Sequence, residues 1–264
     1  NGLAGLVQND LDRLNLEVLQ DLQPGEADLL PLVKHVGGYK GKQMRPALVF
    51  LAAKACGGVR NEHMTVAKVV ELLHTATLVH DDVLDGADMR RRIPTVNAME
   101  GTEVAVLLGD YIYAKAFHMA VTLDAPACAR WLAETVRVIC QGEITQILHR
   151  FDLDWDEDRY YRVIEDKTAS LYASACWLGG HYAGAQPAQK DALETFGREL
   201  GVAFQIVDDI LDLEGDERIV GKSLGTDLEK GKLTLPLLWL MKQGGSGDAV
   251  RAALAAPAGQ RMQA

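Results

Sequence analysis

Residues 71–85 read ELLHTATLVHDDVLD, and residues 201–212 read GVAFQIVDDILD. In each stretch an apolar run leads into three aspartates, with two apolar residues between the second and the third. Residues i and i+4 of a helix share a face, so each motif stacks two carboxylates one turn apart. Like charges at this spacing destabilise an isolated helix by about 0.2–0.5 kcal/mol per pair, and Asp is a poor residue for a helix interior. A sequence that contains this arrangement twice is expected to gain a function from it.

These aspartates suit a hard metal ion. Carboxylate oxygens are the protein ligands that Mg²⁺ prefers, and Mg²⁺ usually completes its shell with water and substrate phosphate oxygens. The predicted cofactor is therefore Mg²⁺, with Mn²⁺ as the alternative. His80 is expected to be packed or hydrogen-bonded rather than a ligand. The competing interpretation, a solvated acidic helix end, explains one motif better than it explains two motifs in matched context.

The predicted fold is helical throughout. Apolar residues recur at three- and four-residue steps up to Leu22, the spacing of an amphipathic helix. Pro46 is expected in the first turn of a helix that ends at Gly57 and Gly58. Further helices are predicted at about 64–86, 101–121, 125–149, 157–184, 188–214 and 233–243. No alternating run bounded by hairpin turns is present, so strands are not expected. With no linker or break in composition, residues 1–264 are predicted to form one all-α domain.

Composition and charge exclude several classes of protein. The 264 residues include 27 Lys and Arg against 37 Asp and Glu, a formal charge of −10. This argues against a nucleic-acid partner bound through a basic face, and 48% hydrophobic residues exclude a mostly disordered chain. The four cysteines are widely spaced and are predicted to be reduced thiols of a cytoplasmic protein. The most apolar stretch, 104–123, contains charged residues, so no transmembrane segment is predicted, and no signal peptide is visible.

If metal ions hold a phosphate group, cationic side chains should converge on its other oxygens. Arg suits bidentate phosphate recognition and Lys contributes a mobile point charge. The candidates lie in basic connectors or beside the aspartate motifs: Lys42, Arg45, Arg90, Arg91, Lys167, Lys222 and Lys232.

The order of these motifs is specific. From residue 42 to residue 236 the chain contains K-x-x-R-P, H-T-x-x-L-x-H-D-D-x-x-D followed by R-R, G-E-x-x-Q, K-T-A, F-Q-x-x-D-D-x-x-D, G-K-x-x-G-x-D-L and G-K-x-T-L-P. This set resembles the trans-isoprenyl diphosphate synthases, or polyprenyl synthetases. The resemblance covers about residues 30 to 240. It implies an isoprenoid synthase fold, a bundle of about ten or more helices around a deep central cavity with the two aspartate motifs at its mouth, and a homodimer.

The resemblance also implies roles for individual residues. The direct Mg²⁺ ligands are then Asp81, Asp82, Asp85 and Asp208, supported by Asp209 and Asp212, and Lys167 joins these aspartates as a catalytic residue. The allylic diphosphate is held by Arg90, Lys167, Lys222 and Lys232. Isopentenyl diphosphate is held by Lys42, Arg45, His74 and Arg91. Thr168 and Gln205 line the reaction centre.

The implied reaction is a prenyl transfer. Metal ions and cationic side chains stabilise the charge on the departing diphosphate, which leaves an allylic carbocation. The double bond of isopentenyl diphosphate attacks this cation and a proton is then lost. Apolar walls exclude the water that would quench the cation.

Product length is predicted from the residues four and five positions before the first motif. In the family a bulky aromatic residue there closes the cavity for short products, whereas this chain has Thr77 and Ala76. No insertion interrupts DDVLD. We therefore predict a medium- or long-chain product, hexaprenyl to decaprenyl diphosphate.

Three competing interpretations stay open at this point. Within the family, the chain could be a short-chain geranylgeranyl or farnesyl diphosphate synthase. Outside it, a terpene cyclase also ionises prenyl diphosphates, but such an enzyme typically lacks the second DDxxD motif. A regulatory subunit of a heteromeric synthase is the third, although such a subunit should have lost an aspartate motif or the basic set.

The chain departs from the family pattern in three places. Residues 37–46 read GGYKGKQMRP rather than the commoner GGK-x-x-RP, although Lys42 still lies three residues before Arg45. The family usually has Gly after its Arg pair, and here Arg92 occupies that position. The C-terminal end is also shorter than usual, which suggests a truncated terminal helix or tail.

Overall fold

The computed structural model describes residues 2–39, 41–123, 127–215 and 225–256. These residues are mainly helical, with two short 3₁₀ turns, Leu3–Val7 and Ala27–Leu29. The α-helices are α1 (Gln8–Asp21), α2 (Leu30–Val36), α3 (Met44–Ala55), α4 (Asn61–Leu84), α5 (Val96–Glu100), α6 (Thr102–Val121), α7 (Ala127–Leu148), α8 (Glu157–Ile164), α9 (Ser170–Ala183), α10 (Pro187–Glu214), α11 (Thr226–Glu229), α12 (Leu235–Met241) and α13 (Ser246–Ala255). The predicted all-α fold class is confirmed.

The start and end of α3 follow from its sequence. Pro46 lies in the first turn, where its missing N–H leaves no helical hydrogen bond unmade. Two glycines with positive φ, Gly57 and Gly58, come directly after the helix, as predicted. The next helix, α4, ends at Leu84 with Asp85 as its C-cap residue. The third aspartate of the first motif therefore lies at the very end of α4.

The helix predicted at 157–184 is present but is not uniform. Residues Glu165–Ala169 form a π-helical turn between α8 and α9. Such turns are rare in proteins, and those that occur are often found at functional sites. They change the direction in which a helix presents its side chains. This turn carries Lys167 and Thr168, two of the predicted site residues.

A short hairpin follows the first aspartate motif. Strand β1 (Met89–Arg90) pairs antiparallel with strand β2 (Ile93–Pro94). The expectation of no strands is wrong at this place, because two residues per strand are too few to produce an alternating pattern. The turn consists of Arg91 and Arg92, with φ values of 49° and 70°. Tight two-residue hairpins favour positive φ, which Asn and Gly adopt far more easily than Arg.

The chain divides into two compact units. The first comprises Asn1–Ala133 and Leu171–Gly197. Its core contains α4 packed against α3 and α6, with Phe50, Leu72 and Ile112 among its fully buried side chains.

Gly109 permits the close approach of α6 to α4, since a Cβ there would lie 2.2 Å from His80 Nε2. His80 Nε2 is also 3.1 Å from the carbonyl oxygen of Val106. His80 is therefore packed and hydrogen-bonded, as predicted.

The second unit comprises Glu134–Ser170 and Arg198–Ala264. Its core is a cluster of apolar side chains from α8, α12, α13 and the adjoining loops: Trp155, Tyr160, Val163, Ile164, Leu233, Leu237, Leu238 and Leu254. This cluster includes Tyr160, whose hydroxyl group points to the second aspartate motif.

Two further sequence predictions concern α6 and the cysteines. By length and composition alone, α6 is apolar enough to cross a membrane, with a third of its apolar window buried. It nevertheless carries Asp110 and Lys115, and one side of it packs on α4. The four cysteines are free thiols, as their spacing predicted.

Candidate active site

The first aspartate motif occupies the last turn of α4. Asp81 and Asp85 are half-buried, whereas Asp82 is 1% exposed. Asp82 Oδ1 accepts hydrogen bonds from Arg90 Nε at 2.8 Å and Arg90 Nη2 at 2.7 Å. A buried carboxylate needs such a partner, because desolvation otherwise disfavours its charged form. Asp82 thus fixes the first strand of the hairpin to the carboxylate helix.

A cluster of arginines lies on the same unit. The Arg45 guanidinium carbon lies 4.5 Å from the centroid of the Tyr172 ring. Arg91 Nη1 donates a hydrogen bond to the Tyr39 carbonyl oxygen. Gly41 makes room for this guanidinium, since a Cβ there would lie 2.5 Å from Arg91 Nη2. Lys42, beside Gly41, is exposed.

Burial and the nearby arginines shift the pKa of two neighbouring groups. Burial, followed by the repulsion of Arg45, Arg91 and Arg90, holds the pKa of His74 well below its usual value, so its imidazole is neutral at pH 7. Burial raises the pKa of the Glu71 carboxyl, while Arg45, Arg91 and a hydrogen bond from Gln43 oppose the rise. His74 can thus donate or accept a hydrogen bond without adding charge to the cluster.

The two predicted product-length positions lie between His74 and the first motif. Ala76 is fully buried. Thr77 is half-buried, and its Oγ1 donates a hydrogen bond to the His74 carbonyl oxygen at 2.8 Å. Ala76 therefore sits on the packed side of α4, where a larger side chain must displace its neighbours or fill available space.

In the second aspartate motif, Asp208 is half-buried and Asp209 is 5% exposed. Asp209 accepts hydrogen bonds from Tyr160 Oη at 2.7 Å and Gln205 Nε2 at 2.8 Å. Thr168 Oγ1 in turn donates to Gln205 Oε1 at 2.7 Å. Because these donors are neutral, burial dominates and raises the pKa of Asp209 to about 6.

The third aspartate of this motif, Asp212, is fully buried and holds the start of α11. Its carboxylate accepts hydrogen bonds from Thr226 Oγ1 and the Asp227 backbone N–H, each at 3.1 Å. Its carbonyl oxygen accepts one from the Gly225 N–H at 2.7 Å. In this structure Asp212 therefore organises the segment that leads to Lys232.

Lys167 is held by the G-E-x-x-Q motif of α7. Its Nζ lies 2.6 Å from Glu143 Oε2 and 3.1 Å from Gln146 Oε1. Gly142 permits the contact between α7 and the π-helical turn, since a Cβ would lie 2.8 Å from Asp166 Cβ. The motif thus combines close backbone approach with two oxygen partners for one ammonium group.

The last two predicted diphosphate-binding lysines are Lys222 and Lys232. Lys232 is buried, and its Nζ lies 3.8 Å from Asp227 Oδ1. Lys222 lies outside the described residues.

Four positioning side chains were absent from the sequence-derived site, namely Glu71, Glu143, Gln146 and Tyr160. The sequence offered a signal for three of them, whereas Tyr160 reaches Asp209 only through the packing of the second unit. Glu71 lies three residues before His74, which places both on one face of α4. Glu143 and Gln146 belong to a motif that the sequence already displayed.

Each aspartate motif, taken by itself, offers oxygen donors that suit a hard cation completed by substrate oxygens. Within the described ranges, no group of three or more Asp, Glu, His or Cys side chains is close enough to form a complete metal centre. Mg²⁺ usually takes one or two protein carboxylates together with waters and phosphate oxygens, so it does not require such a cage. The half-buried Asp81, Asp85 and Asp208 are oxygen donors of the required kind.

Comparison with known proteins identifies the family. The profile described as Polyprenyl synthetase matches residues 27–261. The chain belongs to the polyprenyl synthetase family. This confirms the resemblance drawn from the motifs, and polyprenyl synthetases are prenyltransferases.

Individual relatives extend over most of the chain. The octaprenyl diphosphate synthase of Escherichia coli is 41% identical over 239 residues, which cover 90% of this chain and 74% of the relative. Heptaprenyl diphosphate synthase component 2 of Geobacillus stearothermophilus is 39% identical over 255 residues, 96% of this chain and 78% of the relative.

Among solved structures, a polyprenyl synthase of Caulobacter crescentus, in complex with calcium and isoprenyl diphosphate, is 35% identical with a TM-score of 0.92. The match covers 99% of this chain and 79% of the other. It agrees with the all-α fold described above.

Proposed function

We propose that this polyprenyl synthetase condenses isopentenyl diphosphate with an allylic prenyl diphosphate, head to tail, to make an all-trans polyprenyl diphosphate. The observation that carries this proposal is the Arg90–Asp82 pair in a chain of this family. It joins the carboxylates of α4 to a cationic hairpin, and a metal–diphosphate complex requires both kinds of group.

The isopentenyl diphosphate site is assigned to the first unit. Lys42, Arg45 and Arg91 supply positive charge for a diphosphate, and the neutral His74 supplies a hydrogen bond. Tyr172 supports Arg45 through its ring face, so the guanidinium is oriented before the substrate arrives.

The allylic diphosphate is assigned to Arg90, Lys167, Lys222 and Lys232. Thr168 and Gln205 are assigned to the reaction centre. Lys167 is oriented by Glu143 and Gln146, so its ammonium group is held in place as charge develops on the leaving diphosphate.

The carboxylates of both motifs are proposed to hold Mg²⁺, with Mn²⁺ as the alternative. Asp81, Asp82, Asp85 and Asp208 are the proposed direct ligands, and Asp209 and Asp212 support them. When bound, the metal ions stabilise negative charge on the departing diphosphate as Lewis acids. The hydrogen bonds to Asp209 and Asp212 keep the second motif rigid while this charge develops.

The proposed product is medium- or long-chain, hexaprenyl to decaprenyl diphosphate. The small, buried Ala76 and the octaprenyl and heptaprenyl products named for the two relatives support this length. A terpene cyclase is less suitable, because the second motif is a complete DDILD. One relative is named as a component of a synthase, so the purified chain is to be assayed alone and with a second subunit.

One assay tests both the activity and the product length. The purified protein is incubated with isopentenyl diphosphate, each allylic primer and Mg²⁺, and the dephosphorylated products are separated by chromatography. Elongation is expected to reach six to ten isoprene units. Ala76→Phe is expected to shorten the product, since the ring adds bulk to the packed side of α4. Absence of any elongation contradicts the enzymatic proposal for this chain alone, and an unchanged product length contradicts the role of Ala76.

The proposed assembly is a homodimer located in the cytoplasm. On α6, one of the most apolar of the described helices, the side chains of Leu107 and Val121 are 67% and 63% exposed. The centres of homodimer interfaces are more apolar than other protein surfaces. The free thiols support a reducing compartment. Sedimentation equilibrium checks the assembly, and a monomer at micromolar concentration contradicts it.

We also propose that residues 1–264 act as one functional domain.

A further inference from the structure

The start of α3 contains an unusual backbone conformation. Gln43, the N-cap residue, has φ 48° and ψ 41°, in the left-handed region. Residues other than Gly seldom adopt this region, because Cβ then lies too close to the following carbonyl oxygen. Strain of this kind persists only where the surrounding structure maintains it, and it is frequent at functional sites. Lys42 comes directly before Gln43, and Arg45 comes two residues after it.

The side chain of Gln43 is held by a reciprocal pair of hydrogen bonds. Asn15 Nδ2, on α1, donates to Gln43 Oε1 at 3.1 Å, and Gln43 Nε2 donates to Asn15 Oδ1 at 3.0 Å. Asn15 Nδ2 also donates to the Leu11 carbonyl oxygen at 3.0 Å, which fixes the asparagine on its own helix. The pair therefore connects a rigid part of α1 to the strained residue.

A second anchor comes from α4. The Glu71 carboxyl group on this helix interacts with the Gln43 side chain and with the charges of Arg45 and Arg91. Glu71 is thus coupled both to the strained residue and to the two guanidinium groups assigned to the substrate. We expect that loss of either contact would let Gln43 relax toward the ordinary region of backbone space and would turn the chain that carries Lys42.

We propose that Asn15, Gln43 and Glu71 are positioning residues for isopentenyl diphosphate. They hold Gln43 in the left-handed conformation and thereby fix the directions of Lys42 and Arg45 at the N-terminus of α3. This inference rests on the proposed function, in which those two side chains bind the diphosphate. Asn15 itself is not assigned any contact with substrate.

The test separates this role from general stability. In Asn15→Ala the amide pair is lost while α3 and the assigned substrate residues are unchanged. We expect the KM for isopentenyl diphosphate to rise about threefold to tenfold, the effect of one hydrogen-bonded pair. The KM for the allylic primer and kcat at saturation should stay within about twofold of wild type. The matched control is Gln8→Ala on the same helix, which removes an exposed bond to Asp12.

A second pair of variants tests the backbone conformation. Gln43→Ala removes the side-chain contacts and places at position 43 a residue that adopts the left-handed region poorly. Gln43→Asn places there a residue that adopts this region well. We expect the KM for isopentenyl diphosphate to rise more in Gln43→Ala than in Gln43→Asn. Equal rises would show that only the anchors matter and would overturn the conformational part of the inference.

Binding of isopentenyl diphosphate alone, measured by calorimetry, distinguishes the possible failures. If the wild-type protein neither binds nor condenses isopentenyl diphosphate, the proposed function itself is wrong. If the wild type is active but Asn15→Ala behaves like Gln8→Ala, only the positioning role is overturned. A uniform loss in both KM values and kcat together with a lower Tm overturns it as well, because it indicates a purely structural contact.

Discussion

The two aspartate motifs have almost the same sequence, DDVLD and DDILD, but they differ in their surroundings. In the first motif the buried Asp82 is paired with the guanidinium of Arg90. In the second motif the buried Asp209 receives hydrogen bonds from neutral donors, Tyr160 and Gln205. The first motif thus contains a charge pair, and the second a network of neutral hydrogen-bond donors.

This difference indicates how each motif reaches its working charge. A guanidinium within hydrogen-bond distance favours the ionised carboxylate at all ordinary pH values. Neutral donors do so only weakly, which is why burial raises the pKa of Asp209 to about 6. A cation bound beside Asp209 would favour its charged form. Asp82 therefore has its charge partner in the folded chain itself, whereas a cation bound beside Asp209 would lower the raised pKa of that carboxyl.

The largest expected effect distinguishes these two aspartates. Asp82→Asn leaves Arg90 without its carboxylate, so we expect kcat to fall by about 10²–10³. The free energy of unfolding should fall by about 3 kcal/mol, at the low end for a broken buried pair because 23% of the Arg90 side chain remains exposed. Asp209→Asn keeps an oxygen acceptor for neutral donors, so the expected losses are about tenfold in kcat and about 1 kcal/mol.

Steady-state kinetics and urea denaturation of both variants provide the measurements. Comparable losses in the two variants would contradict the proposed contrast and would favour equal, direct contact of both aspartates with the metal. A larger loss for Asp209→Asn would reverse the assignment.

Sequence spacing explains why one half of this contrast could be predicted and the other could not. Arg90 lies eight residues after Asp82, in a basic connector that the sequence displays. Tyr160 lies 49 residues before Asp209 and reaches it only through the packing of the second unit. Local periodicity places an aspartate on a helix face but does not show which side chain from elsewhere in the chain will cover it.

The helices were predictable for a related reason. Regular α-helices can be predicted from a 3.6-residue period and from residues that favour helix starts, such as Pro46. Both are local signals. The π-helical turn at 165–169 and the two-residue strands have no such signal, because they depend on tertiary contacts such as that of Gly142 with Asp166. The site residues named from the motifs stay predictions, and partners from elsewhere in the chain, such as Tyr160, were not among them.

A smaller effect concerns pH. In the first unit burial, and after it the positive charges of Arg45, Arg91 and Arg90, holds the pKa of His74 well below 6.5. As the pH falls through about 6.5, His74 is protonated in the unfolded chain but stays neutral in the folded chain. The contribution of His74 to stability is therefore present above pH 6.5 and is lost as the pH falls toward the native pKa.

We expect the stability of the wild type to fall relative to that of His74→Gln between pH 7 and pH 5. The slope for one proton is at most about 1.4 kcal/mol per pH unit. Urea denaturation in EDTA at several pH values measures it. Parallel curves for the two proteins would show that the pKa of His74 is not lowered in the folded protein.

The smallest expected effect is a gain in the free energy of unfolding from a change in the hairpin that contains Arg90. Arg92 has φ 70°, a conformation that is disfavoured by about 1–2 kcal/mol for residues other than Gly. Arg92→Gly removes this strain but gives the unfolded chain more freedom, worth about 0.5–1 kcal/mol. The expected net gain is therefore about 0.5–1 kcal/mol, measured by thermal unfolding. Arg92→Ala is the matched control, because it removes the same side chain and keeps the strain.

Together these two variants show why the chain keeps an arginine where its family usually has Gly. If Arg92→Gly is more stable than Arg92→Ala and both bind isopentenyl diphosphate more weakly, the third arginine contributes charge at the cost of a strained turn. If Arg92→Gly is no more stable than Arg92→Ala, the hairpin already accommodates the left-handed residue. The strain argument would then fail for this turn, although the pairing of Arg90 with Asp82 would still fix the hairpin to α4.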